Sequence, residues 1–314
     1  MKEKIIIFGS AGLVGSALNR LVKTKYSEDY SVFSATRDDA NLFSLDETYK
    51  LIQKVNPTYI VNAAAKVGGI VANNANRTEF ILENLKINMN ILESIIKFPE
   101  IKVINLGSSC IYPLDAINPI HESDLMSGKL EPTNSPYAMA KLTAIEIGDA
   151  LSQQFGHKIT NLMPTNLYGP NDNFSPVNSH VIPGLIYRME LAKKNSYSSF
   201  KVWGTGLPKR EFLHVDDLAE AIMFLIKNNN HDKLINVGSS KEVTILELAE
   251  LIRETMEFDG EIIFDKTKPD GNPQKLLDSS KIISLGWKPN IGLKDGLRST
   301  YEWFKENIEI KESS

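Results

Sequence analysis

The sequence predicts an α/β fold, a doubly wound parallel sheet with a smaller C-terminal α/β lobe. Three observations carry this. Strand-like and helical patterns alternate through the first 170 residues. Three glycines sit at three-residue spacing between the first strand and the first helix. The alternation gives way to loop-rich sequence after Gly169.

Each element has its own signal. KIIIFG reads as a buried strand. The helix after it carries Val14, Ala17, Leu18 and Leu21 at helical spacing. YSVFSAT is a second strand, ETYKLIQKV a second helix and YIVNAAA a third strand, with Asn62 expected to shape the loop near a cofactor. A long helix over TEFILENLKINMNILESIIK leads to the strand KVINLGS. PYAMAKLTAIEIGDALSQQF is a helix that Ser135 can cap, with Pro136 at its first position. KITNLMPTNLYG is a further strand. Beyond PNDNFSPVNSHVIPG, EFLHVDDLAEAIMFLIK reads as a helix capped by Asp216 or Asp217, with His214 structural. LINVGSS is a strand; TILELAELIRETM and LKDGLRSTYEWFKENI are helices. The expected division places 1–170 in a cofactor domain, rejoined by 212–240, and 171–211 with 241–314 in a substrate lobe.

Composition narrows the function classes. The chain has 314 residues, 42% apolar and 24% charged, with a formal net charge of −4. No basic stripe suggests nucleic acid, and no apolar run approaches the roughly 18–20 residues of a membrane span. The single cysteine, Cys110, excludes an intrachain disulfide and a cysteine-based zinc site. The histidines (His121, His157, His180, His214, His231) show no ligand spacing, so no metal is expected. A reducing compartment, the cytoplasm, fits this cysteine usage.

The glycines of GSAGLVG (Gly9, Gly12, Gly15) suit a dinucleotide loop. They permit the turn and let a pyrophosphate approach the helix N-terminus. Arg37, in SATRDD at the end of the second strand, stands where a 2′-phosphate would be met, which favours NADP over NAD. In YAMAK, Tyr137 and Lys141 share one helix face, and the lysine charge is expected to lower the phenol pKa. Ser108 ends a central strand, where open α/β sheets place their ligand crevice.

Glycine loop, strand-end serine and Tyr-x-x-x-Lys resemble the extended short-chain dehydrogenase/reductase family. Longer stretches (NAAAKVGGIVANN, LGSSCIYP, LEPTNSPYAMAK, MPTNLYGPNDNFSPVNSHVIP, VWGTGLPKREFLHVDDLA, KPDGNPQKLLD) are similar to the branch that acts on GDP-4-keto-6-deoxy-mannose. That similarity runs from Lys4 to about Asn307. It implies a Rossmann fold, NADP(H) as cofactor, a GDP-sugar substrate, 3,5-epimerisation and 4-reduction to GDP-L-fucose. It also implies a homodimer built on helices around Thr78–Lys97 and Pro136–Gln154. It assigns catalysis to Ser108, Cys110, Tyr137, Lys141 and His180, with Cys110 and His180 exchanging protons at the carbons flanking the ketone. Cofactor contacts are implied for Leu13 and Val14 beside the glycines, for Arg37 and Asn41, and for Leu106, Gly107 and Ser108. Lys141, Pro164, Asn166, Leu167 and His180 complete that set. Arg188, Trp203, Arg210 and Asp270 are implied for the GDP-sugar. The sequence departs from the family at Ala11, where an arginine is frequent. Two rivals stay open: a relative that reduces or epimerises only in part, against which Cys110 and His180 weigh, and a non-catalytic NADP-binding protein. A complete Ser108, Tyr137 and Lys141 set argues against the latter.

Overall fold

The chain folds, in a computed structural model that describes residues 2–176, 178–268 and 270–310, as alternating strands and helices. In order these are β1 (Glu3–Phe8), α1 (Leu13–Lys25), β2 (Tyr30–Ala35), α2 (Leu45–Val55), β3 (Tyr59–Asn62), α3 (Ile70–Ala75), α4 (Arg77–Ser94) and β4 (Lys102–Leu106). Then come α5 (Ser135–Phe155), β5 (Ile159–Pro164), β6 (Asn166–Tyr168), α6 (Val181–Lys194), β7 (Ser199–Trp203), β8 (Lys209–His214) and α7 (Val215–Lys227). The chain closes with β9 (Leu234–Val237), β10 (Glu242–Thr244), α8 (Ile245–Met256), β11 (Glu261–Asp265), β12 (Gln274–Lys275), α9 (Ser280–Ser284) and α10 (Leu293–Asn307).

Six strands form one parallel sheet in the order β2-β1-β3-β4-β5-β9. Side chains alternate across it. Ile5 and Ile7 point into a core with Leu18 of α1 and Leu218 and Ile222 of α7. Ile6 and Phe8 point the other way, to Ile52 of α2, Ile91 of α4 and Ala144 of α5. The strand order reverses at β1 and β3, so a crevice opens beyond their carboxyl ends. A second apolar core joins α6, β7, α8 and α10 through Met189, Phe200, Val202, Leu248, Ile252 and Phe304. The chain crosses between the two cores more than once: β8 lies in a small sheet with β6, β10 and β12, and α7 and β9 return to the large one.

Several boundaries differ from the sequence reading. KITNLMPTNLYG is two strands: β5 stays paired with β9 up to the Thr165 N–H, which donates to the Val237 carbonyl, and β6 then pairs with β8 instead. EFLH is the end of strand β8, ahead of α7. The α7 cap is neither aspartate: His214 Nδ1 accepts the Asp216 N–H at 3.2 Å, while the Asp217 carboxylate accepts the Asn290 and Ile291 amides, each at 3.0 Å. In α5, Asn134 takes the cap position and Ser135 is already helical. Asn62 does shape the loop after β3, its side-chain oxygen accepting the Ala64 N–H at 3.2 Å, and its amide also donates to Asn88 and to Asn105, which donates to Asn161.

Candidate active site

The glycine loop closes β1 onto α1 at the sheet's carboxyl edge. Gly9 has φ +76°, and a Cβ there would lie 2.7 Å from the Ala63 carbonyl. A Cβ on Gly15 would lie 2.2 Å from the Gly9 oxygen. Protein packing therefore demands both glycines. At Gly12 a Cβ would meet nothing nearer than that oxygen, at 3.5 Å. Gly12 caps α1 without any side-chain hydrogen bond, so the Leu13 and Val14 amides have no intrahelical acceptor. Their side chains pack on the core. Bare backbone, free amides and a helix N-terminus fit the pyrophosphate of a dinucleotide.

Arg37 stands two residues past β2, exposed, in a turn closed by the Asp39 carboxylate on the Thr36 amide and hydroxyl, each at 2.8 Å. It makes no ion pair among the described residues. Asn41 folds back locally, its side chain accepting the Phe43 N–H at 3.0 Å.

The carboxyl end of β4 gathers the chemical groups. Gly107 donates to the Leu162 carbonyl at 2.8 Å, and a Cβ there would overlap the Met163 side chain. The chain then turns, and Ser108 caps a short 3₁₀ turn by accepting the Cys110 N–H at 3.2 Å. Tyr137, in the first turn of α5, reaches the Ser108 hydroxyl and lies within electrostatic reach of Cys110. Its ring packs edge-on against the buried Phe80, at 6.3 Å. One helical turn on, Lys141 is buried, its Nζ donating to the Leu106 carbonyl at 2.7 Å and lying 5.8 Å from the Tyr137 ring centroid. Burial pulls the lysine down to about 8 and pushes the phenol above its ordinary 10. The expected lowering of the phenol pKa is thus corrected: the ammonium is turned to a carbonyl, and desolvation of the phenol outweighs the Ser108 hydrogen bond. At neutral pH Tyr137 is a proton donor beside a strand-end serine and a thiol.

His180 caps α6 at the end of the 169–180 loop. Phe174 anchors that loop in the second core, stacking on Trp303 at 5.9 Å, and the Asn178 carbonyl accepts the Gly69 N–H at 3.2 Å. The imidazole opens to the cleft but is ringed by protein, and desolvation lowers its pKa, so it is neutral near pH 7. It makes no direct hydrogen bond to Cys110 or Tyr137.

Across the cleft, Arg188 lies over Phe200 at 5.5 Å and over the exposed Trp203 at 5.7 Å. Asp270 accepts from the Thr205 amide and hydroxyl, at 2.8 and 2.7 Å. The Arg210 guanidinium is partly buried and within electrostatic reach of both Asp270 and Cys110. It therefore lies near the 3₁₀ turn that carries Cys110. Pro164 ends β5. Leu167 packs on the main core, and the Asn166 side chain donates to the Glu211 carbonyl at 2.8 Å.

Glu211 itself was not singled out by sequence reasoning. Its fully buried carboxylate accepts the Ser240 and Leu277 amides at 2.7 and 3.1 Å, fastening three distant segments beneath Asn166. The available signal was an acid inside the apolar run of EFLH.

A family model described as the NAD dependent epimerase/dehydratase family matches residues 5–238. The chain is 48% identical to a "Probable GDP-L-fucose synthase 1" of Oryza sativa subsp. japonica, over 97% of this chain and 93% of that one. It is 43% identical to the "GDP-L-fucose synthase" of Escherichia coli (strain K12), over 98% of both. A solved structure of a GDP-L-fucose synthetase from Naegleria fowleri bound to NADP is similar with a TM-score of 0.88 and 28% identity, covering 98% of this chain and 95% of that one.

Proposed function

The chain belongs to the NAD dependent epimerase/dehydratase family, and we propose that it is a bifunctional NADPH-dependent 3,5-epimerase and 4-reductase converting GDP-4-keto-6-deoxy-D-mannose to GDP-L-fucose. The observation that carries this reading is the grouping of Ser108, Cys110 and Tyr137 at the end of β4, with Lys141 behind and His180 on a separate wall. Relatives of that name, 43–48% identical over nearly the whole chain, support it.

The residues divide the work. A 4-ketone acidifies the C3 and C5 protons. Ser108 and Tyr137 donate hydrogen bonds to O4 and so stabilise the enolate that proton removal leaves. Cys110 and His180 remove a proton from each carbon and return one on the opposite face. NADPH, when bound, supplies the hydride for C4. Tyr137 then passes its phenolic proton to the C4 oxygen, a role that its raised pKa suits. The cradle at Gly12 to Val14 holds the cofactor pyrophosphate, and Arg37 meets the 2′-phosphate. Arg188 and Arg210 hold the substrate diphosphate, Trp203 offers a face to the base and Asp270 an acceptor. On this reading residues 1–170 with 212–240 serve the cofactor, and the remainder serves GDP. A homodimer through α4 and α5 is supported by their side-by-side packing and by the exposed Leu82, Met89 and Met139. No described helix is long and apolar enough to cross a membrane. A cytoplasmic site rests on the lone thiol.

The test is NADPH oxidation with GDP-4-keto-6-deoxy-mannose. We expect turnover by the wild-type chain and a loss of about 10²–10⁴-fold in Tyr137→Phe, the range of a general acid. A wild-type chain that leaves NADPH unoxidised refutes the assignment.

A further inference from the structure

α3 is short, and its surroundings fix where it sits. Gly68 and Gly69 precede it because neighbours lie too close for side chains: a Cβ on Gly69 would be 2.7 Å from the Ser179 carbonyl oxygen, and one on Gly68 2.9 Å from Ala72 Cβ. The Gly69 N–H donates to Asn178, and the buried Asn73 side chain donates back to the Gly68 and Gly69 carbonyls at 2.7 and 3.2 Å. The start of α3 is thereby fastened to the segment that ends in His180. Its first residue, Ile70, nevertheless remains 59% exposed.

Two distances place that side chain. Ile70 Cδ1 and Arg210 Nη2 both approach Gly271, lying 4.0 and 2.9 Å from where its Cβ would be. Arg210 is also the guanidinium within electrostatic reach of Cys110. A large aliphatic group is therefore held between the segment that ends in His180 and the strand that carries Arg210, more than half exposed. A 4-keto-6-deoxyhexose joined to GDP is polar around its ring, and its one apolar appendage is the C6 methyl on C5. We propose that Ile70 packs on that methyl and selects a 6-deoxy sugar over one bearing a C6 hydroxyl. The inference rests on the functional reading above. An exposed aliphatic side chain gains by covering a methyl, whereas a hydroxyl placed against it loses water without gaining a partner.

The experiment compares GDP-4-keto-6-deoxy-mannose with its 6-hydroxy counterpart, GDP-4-keto-mannose, in wild type, Ile70→Asn, Ile70→Thr and Ile70→Val. In wild type we expect kcat/KM to favour the 6-deoxy substrate by about 10- to 100-fold, the scale of an apolar contact facing a hydroxyl. Ile70→Asn and Ile70→Thr should each bring the two within about threefold, chiefly through a higher KM for the 6-deoxy sugar. The KM for NADPH should stay unchanged, and Ile70→Val should keep the preference. NADPH fluorescence titration confirms that each variant is folded, and the threonine variant serves if asparagine is not tolerated. A polar variant that keeps the wild-type ratio, or that loses both substrates equally, overturns the inference while leaving the functional reading standing. A wild-type chain that turns over neither sugar overturns the reading and the inference with it.

Discussion

At the residue scale, Lys141 is the group most changed by folding. Its pKa falls from an ordinary 10.5 to about 8, because burial disfavours the ammonium. Between those values the unfolded chain binds a proton that the folded chain does not, so stability rises with pH across that window. The cost of the buried charge is fully present below about pH 8 and has gone above 10.5. Urea titrations of wild type and Lys141→Met from pH 7 to 10 should show wild type gaining about 2–3 kcal/mol relative to the variant. A constant difference would place the lysine pKa at its ordinary value. The residues to which the proposed function gives chemistry stand out in the sequence, since a lone thiol, a strand-end serine and Tyr-x-x-x-Lys are each unusual in context. The state of Tyr137 does not. It depends first on how deeply the phenol is buried, and no spacing reveals that, nor that Lys141 finds the Leu106 carbonyl as its acceptor. Glu211 was hidden for a related reason: its partners are backbone amides of Ser240 and Leu277, remote in sequence.

At the element scale, the glycine loop is the part where sequence and geometry agree most closely. Gly9 and Gly15 are required by backbone contacts within the protein, whereas Gly12 leaves room that no protein atom fills. Gly15→Ala puts a Cβ into the Gly9 carbonyl and should cost about 2–3 kcal/mol, with a matching drop in Tm and a weakened affinity for NADPH. Gly12→Ala, by contrast, should retain the Tm and lose NADPH affinity. Fluorescence titration beside thermal melts separates the two, and equal losses of Tm would contradict this division. Helices such as α1 and α4 were readable from their periodicity. α3 was not, because six residues after two glycines show no period and their shape comes from Ser179, Asn178 and Asn73. The break between β5 and β6 was equally hidden, since it comes from a change of partner, from β9 to the remote strand β8.

At the scale of the whole molecule there are two cores, and the residues proposed to react are shared between them. The main sheet contributes Ser108, Cys110, Tyr137 and Lys141; the chain of the second core contributes His180, held by Phe174, together with Arg188 and Arg210. On the outer side, α4 and α5 leave Leu82, Met89 and Met139 exposed. If a second copy covers them, Met89→Lys should convert a dimer to a monomer in sedimentation equilibrium without altering the circular dichroism spectrum. A wild-type chain that sediments as a monomer would reject that assembly. On the proposed function, one site both inverts C3 and C5 and reduces C4. Turnover of GDP-4-keto-6-deoxy-mannose with NADPH in heavy water, followed by NMR of the product, tests it most directly. GDP-L-fucose carrying deuterium at C3 and C5 is expected, with Cys110→Ser suppressing the incorporation. NADPH consumed with no deuterium at either carbon would contradict it and leave a simple ketone reductase.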